Sequence, residues 1–283
     1  MIQFFHTKNS LVKNYLAKFS SLQNVEEITS LDAIKSNSTI VFFFDSYLDI
    51  PQNILENVNK ILLSDATNII YLDTVEIYGF TDKGSVDESY RHIPLTQNGK
   101  IRKEIYQLLQ KNAEENLTRK IILLRLPDLL APGANFFLNS VLSGKSNIIQ
   151  WPGSTAINHE FIFVSDAIDV LKSVIEWAEK SSDSGKMLIE FNISGTKYTL
   201  EQIAAAINEI TGVLVKIVRY NTLFLFLQQF FVNKNKINYA KNIIDVKYLF
   251  DKPIFLNSAK YEFQFGEIKK TELYNGLYDI FNG

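Results

Sequence analysis

The chain of 283 residues contains no cysteine. This absence excludes disulfide bonds, thiolate nucleophiles and cysteine-ligated metals. Only three histidines are present, so we expect no metal site of the structural zinc type. Because cysteine usage is one of the few sequence features that reports on the redox compartment, the compartment has to be inferred from other features.

Long hydrophobic runs are also missing. No apolar stretch approaches the ~18 residues that a membrane span requires. The apolar run at residues 223–227 is bounded by Asn221 and Gln228, which is typical of a buried helix or a partner-facing surface. Residues 1–5 lack the basic segment and the small-residue cleavage site of a signal peptide. We therefore expect a cytoplasmic protein with no membrane partner.

The chain has no excess of either charge. Lys and Arg total 29 and Asp and Glu total 31, for a formal net charge of −2. This balance gives no electrostatic reason to expect nucleic acid as a partner. Hydrophobic content of 46% and charged content of 21% are ordinary for a soluble globular protein. The length suffices for one large α/β domain, or for a nucleotide-binding domain with a smaller lobe.

Short apolar runs alternate with helical patterns in the first half of the chain. Near-continuous hydrophobicity within each run predicts strands buried on both faces, as in a parallel sheet covered by helices. The strands are expected at residues 2–5, 25–28, 40–44, 68–72 and 120–126, and the helices at 11–19, 54–63 and 99–112. This alternation predicts an α/β fold with a Rossmann-like, doubly wound parallel sheet. The link between residues 19 and 40 has room for one strand, so the nucleotide side is abbreviated.

The second half of the chain changes in character. The loops Pro132-Gly133 and Pro152-Gly153 indicate a smaller C-terminal lobe interleaved with the sheet. We divide the chain into an abbreviated Rossmann-like nucleotide-binding domain, residues 1–126, and a region that is mainly substrate lobe, residues 127–283. In this second region strands are expected at 161–164 and 188–193, and helices at 166–179 and 199–211, the last with Gly212 as its C-cap.

Four segments of this chain match known motifs in the right order. Residues 74–79 resemble Ser/Thr-x-x-x-Tyr-Gly, and residues 124–133 resemble "LR…YGPG" with Leu130 and Ala131 in place of its Tyr and first Gly. Residues 159–166 resemble "R-x-F-I-H-V-x-D", and residues 192–199 resemble "N-V-G-x…Y-T". In these segments the chain resembles the extended short-chain dehydrogenase/reductase family of nucleotide-sugar epimerases, dehydratases and reductases. The resemblance implies NAD or NADP as cofactor and a nucleotide or nucleotide-sugar ligand. It also implies a homodimer formed through the helices at 54–63 and 99–112.

The glycine-rich cofactor loop of that family is absent. Its three glycines fall at Thr7, Ser10 and Lys13 of this chain. Two interpretations stay open. The phosphate site is rebuilt from the helix N-terminus, the Ser10 hydroxyl and the ammonium group of Lys8 or Lys13, or the segment is an ordinary polar N-cap with solvated lysines. Asp32 is the nearest acidic candidate for a ribose contact.

The catalytic tyrosine and lysine of the family are absent as well. The family uses a tyrosine as general acid/base, a lysine one helical turn later and a Ser or Thr that aligns the substrate. Thr74 matches the last role, whereas Asn98 and Arg102 occupy the other two positions. Asparagine has no titrating proton and cannot replace the tyrosine. Arg102 keeps a positive charge and could hold a ribose or phosphate, or it is a solvated helix cation.

Glu76 keeps an enzymatic interpretation open. By resemblance it matches the proton-abstracting base of the 4,6-dehydratases, although the partner aspartate is replaced by valine. The alternative is a surface glutamate where the strand leaves the sheet. Tyr90 and Tyr106 are candidates for a displaced acid/base, Tyr78 is expected to be a packing residue, and His159 is expected in the wall of the substrate lobe.

Two functional hypotheses follow. Joint loss of the glycines, the tyrosine and the lysine favours a protein that has lost standard redox catalysis and binds a nucleotide, a sugar nucleotide or a partner. The alternative is an active nucleotide-sugar epimerase, dehydratase or reductase of altered mechanism, which the recognisable substrate-lobe motifs favour. A purely structural subunit paired with an active paralogue is a third hypothesis.

Overall fold

The computed structural model describes residues 1–5, 25–44, 51–79, 81, 83–116, 118–132, 137–181, 188–219 and 250–282. The helix predicted at residues 11–19 and the apolar run at 223–227 lie outside these described residues. The strands are β1 (Ile2–Phe5), β2 (Val25–Ile28), β3 (Thr39–Phe42), β4 (Asn68–Thr74), β5 (Lys120–Leu126), β6 (Asp128–Leu130), β7 (Ile148–Trp151), β8 (His159–Phe163), β9 (Ile189–Asn192), β10 (Thr196–Tyr198) and β11 (Lys216–Arg219). The helices are α1 (Pro51–Leu63), α2 (Gln97–Glu115), α3 (Asn139–Leu142), α4 (Val164–Lys180), α5 (Leu200–Thr211), α6 (Ala259–Phe265) and α7 (Leu273–Asn282).

Six strands form one parallel sheet in the order β2-β1-β3-β4-β5-β9. Helices cover both of its faces, so the predicted Rossmann-like α/β fold is confirmed. The strand predicted at residues 40–44 is shorter and ends at Phe42, although Phe44 beyond it is still buried. The last strand of the sheet, β9, comes from the second half of the chain, as does the helix α4 that covers one face.

The two faces of the sheet have separate hydrophobic cores. Helices α1 and α2 cover one face, where Ile61 and Ile105 pack against strand residues such as Ile69 and Leu123. Helix α4 covers the other face with residues that include Leu171. Each of these side chains is almost fully buried, and burial of that extent contributes about 1.5–3 kcal/mol per aliphatic side chain.

The second lobe has two small sheets of its own. Strand β8 pairs antiparallel with β10 and parallel with β6, while β7 and β11 form a separate parallel pair. Trp151 is fully buried in a core shared with helices α5 and α7. Helix α5 starts with a capping box between Thr199 and Gln202 and ends at Gly212, whose φ of 69° is left-handed. The predicted C-cap is therefore confirmed. Within the described ranges, no helix is long and apolar enough to cross a membrane.

Candidate functional site

The candidate site lies where the strands of the large sheet end at their carboxyl termini, which is where open α/β sheets bind ligands. We call this region the carboxyl edge and define it by Thr74, Glu76, Asn98 and Asp128. Thr74 is paired in register with Leu126, so the chain leaves β4 and β5 side by side, at the usual separation of about 5 Å between strands. Asp128 follows two residues after that point, as the first residue of β6.

Thr74 and Glu76 belong to a tight 3-10 turn that follows β4. The Thr74 hydroxyl is the N-cap of this turn and accepts a hydrogen bond from the backbone N–H of Glu76, at 3.5 Å. The Glu76 carboxylate accepts a hydrogen bond from the Thr96 hydroxyl at 3.1 Å. Glu76 is partly buried, and its carboxylate is held by the residue that caps helix α2.

Helix α2 packs end-on against the same turn. It begins at Gln97 because the Thr96 hydroxyl caps it, accepting the N–H of Gly99 at 2.9 Å. A Cβ atom at Gly99 would lie 2.4 Å from the carbonyl oxygen of Glu76. Glycine is therefore required here for close approach, and it places the start of the helix directly against the turn that follows β4.

Asn98 lies next to this contact, in the first turn of α2. Its side chain is 2% exposed, and its Nδ2 donates no hydrogen bond to any residue in the part of the chain that the structure describes. It shares one helix face with Arg102, one turn later, and helical side chains lean towards the N-terminus. Because Arg102 reaches Asp73 near the end of β4, the amide of Asn98 lies beyond that strand end, at the carboxyl edge.

Arg102 itself is buried beneath the carboxyl edge. Its Nη1 donates to Asp73 Oδ1 at 2.9 Å and to the Tyr71 hydroxyl at 3.1 Å. The residue is only 3% exposed, so the alternative of a solvated helix cation is wrong. Desolvation works against its charge, but Tyr71, Asp73 and Glu76 outweigh that effect and raise the pKa of Arg102.

A second arginine completes what we call the buried charge network, defined by Asp73, Arg102, Arg125 and Glu190. Arg125 is fully buried and lies between two carboxylates, with Nε 3.7 Å from Asp73 Oδ2 and Nη2 2.7 Å from Glu190 Oε2. Each of the four charged groups thus has an opposite charge within 4 Å. The paired register of Asp73 with Arg125 places both on the same sheet face.

Aromatic residues surround this network. Tyr78 is fully buried, accepts from Arg125 Nη1 at 2.9 Å and donates to Asn192 Oδ1 at 2.9 Å, which confirms it as a packing residue. The ring nitrogen of His92 lies 3.3 Å from Arg125 Nη2. Burial, followed by the charges of Arg125 and Lys103, lowers the pKa of His92 to about 4, so the imidazole is neutral near pH 7.

The two tyrosines considered as displaced acid/base groups lie in this aromatic layer. Tyr106 donates its hydroxyl to Glu190 at 3.1 Å, and burial followed by the Glu190 charge raises its pKa to about 12. A tyrosine of that pKa is a poor proton donor or acceptor near neutral pH. Tyr90 packs edge-on against Tyr78, and Lys83 lies over its ring.

Asp128 is a residue of the carboxyl edge that motif matching missed. The residue as a whole is exposed to solvent, whereas its carboxyl group is surrounded by protein atoms. Desolvation, with the charges of Glu76 and Glu160 next, raises its pKa to about 7. Its position directly after the buried strand β5 and a proline was the available sequence signal, because polar residues at strand exits of parallel sheets face the ligand side.

His159 and Glu160 are both buried in the second lobe. The His159 ring packs edge-on against Trp151 at 5.0 Å between centroids, and burial lowers its pKa to about 4. Glu160 accepts the backbone N–H groups of Gly195, at 3.1 Å, and Leu256, at 2.8 Å. Burial raises the pKa of Glu160 to about 7.

The cofactor residues suggested by the sequence divide into two groups. Thr7, Ser10 and Lys13 lie outside the described residues, whereas Asp32 is exposed in a 3-10 turn that follows β2. At the positions that the resemblance assigns to the catalytic tyrosine and lysine, the residues present do not fit standard redox use of NAD or NADP, because Asn98 cannot transfer a proton and Arg102 is bound to Asp73. In the described part of the chain, no group of three or more His, Asp and Glu side chains is arranged to hold a metal ion.

Comparison with known proteins identifies the same fold in nucleotide-sugar enzymes. UDP-glucose 4-epimerase from Bifidobacterium longum, in complex with NAD+ and UDP, superimposes with a TM-score of 0.71 at 11% identity, over 100% of this chain and 97% of that chain. MoeE5 in complex with UDP-glucuronic acid and NAD gives 0.69 at 14% identity, over 98% and 96%. RMD from Pseudomonas aeruginosa, complexed with NADPH, gives 0.66 at 10% identity, over 99% and 97%.

No protein-family model matches the sequence, and no curated protein matches it. The similarity to solved structures extends over the whole chain but rests on 10–14% identity, so it establishes architecture rather than chemistry. The fold that the resemblance implies is therefore confirmed.

Proposed function

We propose that this protein binds a nucleotide or a nucleotide sugar at the carboxyl edge and has lost the tyrosine–lysine redox chemistry of the enzymes whose fold it shares. One observation carries the proposal. The amide of Asn98 stands at the position that resemblance assigns to the catalytic tyrosine, is buried, and has an Nδ2 without a hydrogen-bond partner within the described ranges. An unsatisfied buried donor costs about 1–3 kcal/mol, which a ligand oxygen would offset on binding.

The arrangement around Asn98 supports binding rather than standard proton transfer. Thr74 and Glu76 are held in one turn, and Gly99 fixes helix α2 against that turn. Arg102 is engaged by Asp73 and Tyr71. These contacts pre-organise a polar surface without an acid/base tyrosine, and pre-organised polar groups bind ligands with little reorganisation.

The solved proteins of the same fold suggest which ligands to test. Their structures contain UDP, UDP-glucose or UDP-glucuronic acid together with NAD, or NADPH. For this chain, residues 1–126 would hold the nucleotide and residues 127–283 would supply most of the sugar side. Binding of NAD or NADP through Thr7, Ser10, Lys13 and Asp32 is a separate proposal that titration tests directly.

Calorimetric titration with UDP, ADP, GDP and dTDP, followed by NAD(H) and NADP(H), tests this function. We expect one nucleoside diphosphate to bind in the micromolar range, about −8 kcal/mol, and no turnover of its sugar derivatives when NAD or NADP is supplied. Asn98→Leu should weaken that binding, and Gln97→Leu, at the exposed neighbouring position, is the matched control. Absence of binding by all four nucleotides would reject the proposal.

The second candidate is an enzyme of altered mechanism. It is favoured by the hydrogen-bonded Glu76 carboxylate at the strand exit, which matches a proton-abstracting base by resemblance. Turnover of a nucleotide sugar that Glu76→Gln abolishes would establish this candidate in place of the first. Turnover that persists unchanged in Glu76→Gln would reject Glu76 as its base.

We also propose a homodimer formed through α1 and α2, which pack together on one face of the sheet. The outward side chains of these helices are polar, among them Glu56, Lys60, Lys100 and Glu104. Such an interface would be salt-sensitive. Sedimentation at low and high salt tests it, and a monomer at both would reject it.

A further inference from the structure

We infer that Phe250 is autoinhibitory: its ring occupies, in the second lobe, the place that the base of a bound nucleotide takes, and the ligand binds by displacing it. This inference rests on the proposed function, since it describes how access to the same ligand is regulated. It is carried by two buried ring nitrogens beneath Phe250, by the contacts that hold Phe250 over them, and by their position beside the carboxyl edge.

Four aromatic side chains form what we call the aromatic cage, defined by Phe137, Trp151, His159 and Phe250. Phe250 contacts the other three, with ring centroids 4.4 Å from Trp151, 5.0 Å from Phe137 and 5.5 Å from His159. Trp151 is 0% exposed and His159 is 4% exposed, whereas Phe250 is partly exposed. Phe250 is therefore the outer member of the cage, and the other rings lie beneath it.

Two of the inner rings each carry a nitrogen without a hydrogen bond. Trp151 Nε1 and His159 Nε2 are both buried, and neither has a partner in the part of the chain that the structure describes. Their rings pack edge-on at 5.0 Å between centroids, so both nitrogens belong to the same cage. The phenyl ring of Phe250 offers no lone pair to either nitrogen, and buried polar atoms without partners are costly. A heteroaromatic ring that bears acceptor and donor groups, such as a nucleobase, would satisfy both nitrogens.

The contacts that hold Phe250 over the cage come from the loop between β7 and β8. A Cβ atom at Gly153 would lie 2.7 Å from Phe250 Cβ and 3.0 Å from its carbonyl carbon and oxygen, so glycine permits this close approach. The next residue, Asp251, accepts the backbone N–H of Ser154 at 2.9 Å in an exposed hydrogen bond. A segment held by exposed hydrogen bonds opens more readily than a buried core. Phe250 can therefore leave the cage while the strands beneath it stay paired.

The aromatic cage lies beside the carboxyl edge. Strand β6 begins at Asp128, two residues after β5 ends, and Asp128 is in register with Phe161 of β8. Strands β6 and β8 are parallel, and His159 precedes Phe161 by two residues, or roughly 7 Å along the strand. His159 therefore lies on the side of Asp128 from which β5 arrives. A nucleotide at the carboxyl edge has the cage next to it.

Two variants remove the block by different means. Phe250→Ala deletes the ring, and Gly153→Ala places a methyl group where Phe250 has to pack. Calorimetric titration with UDP, ADP, GDP and dTDP should show that each variant binds the preferred nucleotide at least tenfold more tightly than the wild type, a difference of about 1.4 kcal/mol, because the closed population no longer competes with the ligand. Inorganic pyrophosphate, which has no ring, should bind all three proteins alike.

The chain offers matched controls for both variants. Phe263→Ala changes a phenylalanine that is 93% exposed, and Gly84→Ala adds a Cβ that meets nothing within 4 Å. Both should bind the nucleotide as the wild type does. Trp151→Phe, introduced together with Phe250→Ala, removes one of the two ring nitrogens and should reduce the gain in affinity. Thermal unfolding of each variant verifies that it is folded.

The outcomes separate this inference from the proposed function. Binding of a nucleoside diphosphate by the wild type, with equal or weaker binding by the folded variants, overturns the inference and leaves the proposed function standing. An equal gain for pyrophosphate also overturns it, because the effect would not depend on a ring. Absence of binding by the wild type and by both variants rejects the inference and the proposed function together.

Discussion

The polar residues at the end of the large sheet form two layers that differ in how their charges are balanced. In the buried charge network, Asp73 and Glu190 each lie within 4 Å of an arginine, and all four side chains are largely withdrawn from solvent. At the carboxyl edge above it, Glu76 accepts a hydrogen bond from Thr96, and the Asn98 Nδ2 lacks a hydrogen-bond partner among the described residues. Every charged group of the lower layer has an opposite charge within 4 Å, whereas the upper layer contains a buried amide donor without a hydrogen-bond partner in the described part of the chain.

This difference separates a structural role from a binding role. Buried ion pairs hold elements in one arrangement, and removal of one member leaves an uncompensated charge. An unsatisfied buried donor reduces stability in the free protein, and natural proteins retain such groups mainly where they serve function. Mutations in the two layers should therefore have opposite effects on stability and on binding.

The largest effect is expected for Asp73→Ala in the lower layer. This change leaves Arg102 without its carboxylate and removes one of the two that face Arg125, so the free energy of unfolding should fall by about 3–5 kcal/mol. Urea unfolding measures it. Lys180→Ala breaks an exposed pair with Glu176 and should change stability by less than about 1 kcal/mol. Equal effects of the two variants would contradict a structural role for the network.

Glu160 sharpens the comparison because it is a buried carboxyl with no salt bridge in the described residues. Its pKa is raised from 4.5 to about 7, so the folded state favours the protonated form. The contribution of Glu160 to the free energy of unfolding is fully present below pH 4.5 and is lost as pH rises through about 7. At about 1.36 kcal/mol per pKa unit, the loss is at most about 3 kcal/mol. Glu160→Gln should flatten this part of the profile of unfolding free energy against pH, and an unchanged profile would contradict the assignment.

Gly99→Ala tests the contact that holds helix α2 against the turn after β4. The added methyl group would meet the Glu76 carbonyl at 2.4 Å, so we expect a loss of about 1–3 kcal/mol from overpacking, despite the better helix propensity of alanine. Nucleotide affinity should fall as well, since the helix start must shift. Gly84→Ala, where a Cβ meets nothing within 4 Å, is the control. An increase in stability on Gly99→Ala would show that Gly99 and the Glu76 carbonyl are not in close contact.

The smallest stability effect, with the opposite sign, is expected for Asn98→Leu in the upper layer. Replacing the unsatisfied amide by an apolar group of similar size should leave the free energy of unfolding unchanged or raise it by about 1 kcal/mol. Thermal unfolding and calorimetric titration of the same variant measure stability and nucleotide binding together. Strong destabilisation would mean that Asn98 serves the fold rather than a ligand.

The sequence predicted the elements far better than the site. Apolar runs located β1, β4, β5 and β9, and Thr199 with Gly212 marked the two ends of α5. These features depend on periodicity and on caps within a few residues. The small strands of the second lobe were mostly not predicted, because three-residue strands such as β6 and β10 form through pairing with β8 and carry little pattern of their own.

The site residues illustrate the same limit. Motif resemblance selected Thr74, Glu76, Asn98 and Arg102, and the structure places these four residues around one strand end. Motif resemblance missed Asp128, and it left open whether Arg102 was solvated. Ion pairs and burial depend on residues far apart in the chain, so local sequence patterns do not predict them.

The sequence alone determined the alternation of buried strands and amphipathic helices, and with it the Rossmann-like class, since hydrophobic periodicity is a local property. By resemblance it also assigned Asn98 and Arg102 to the positions of the tyrosine and lysine. Only the tertiary structure decided that Arg102 is buried against Asp73, that Arg125 is paired with Glu190, and that Asn98 retains a donor without a partner in the described residues. The physical reason is that pairing and desolvation follow from the register of β4, β5 and β9 and from the packing of α2 on them, which no short segment specifies.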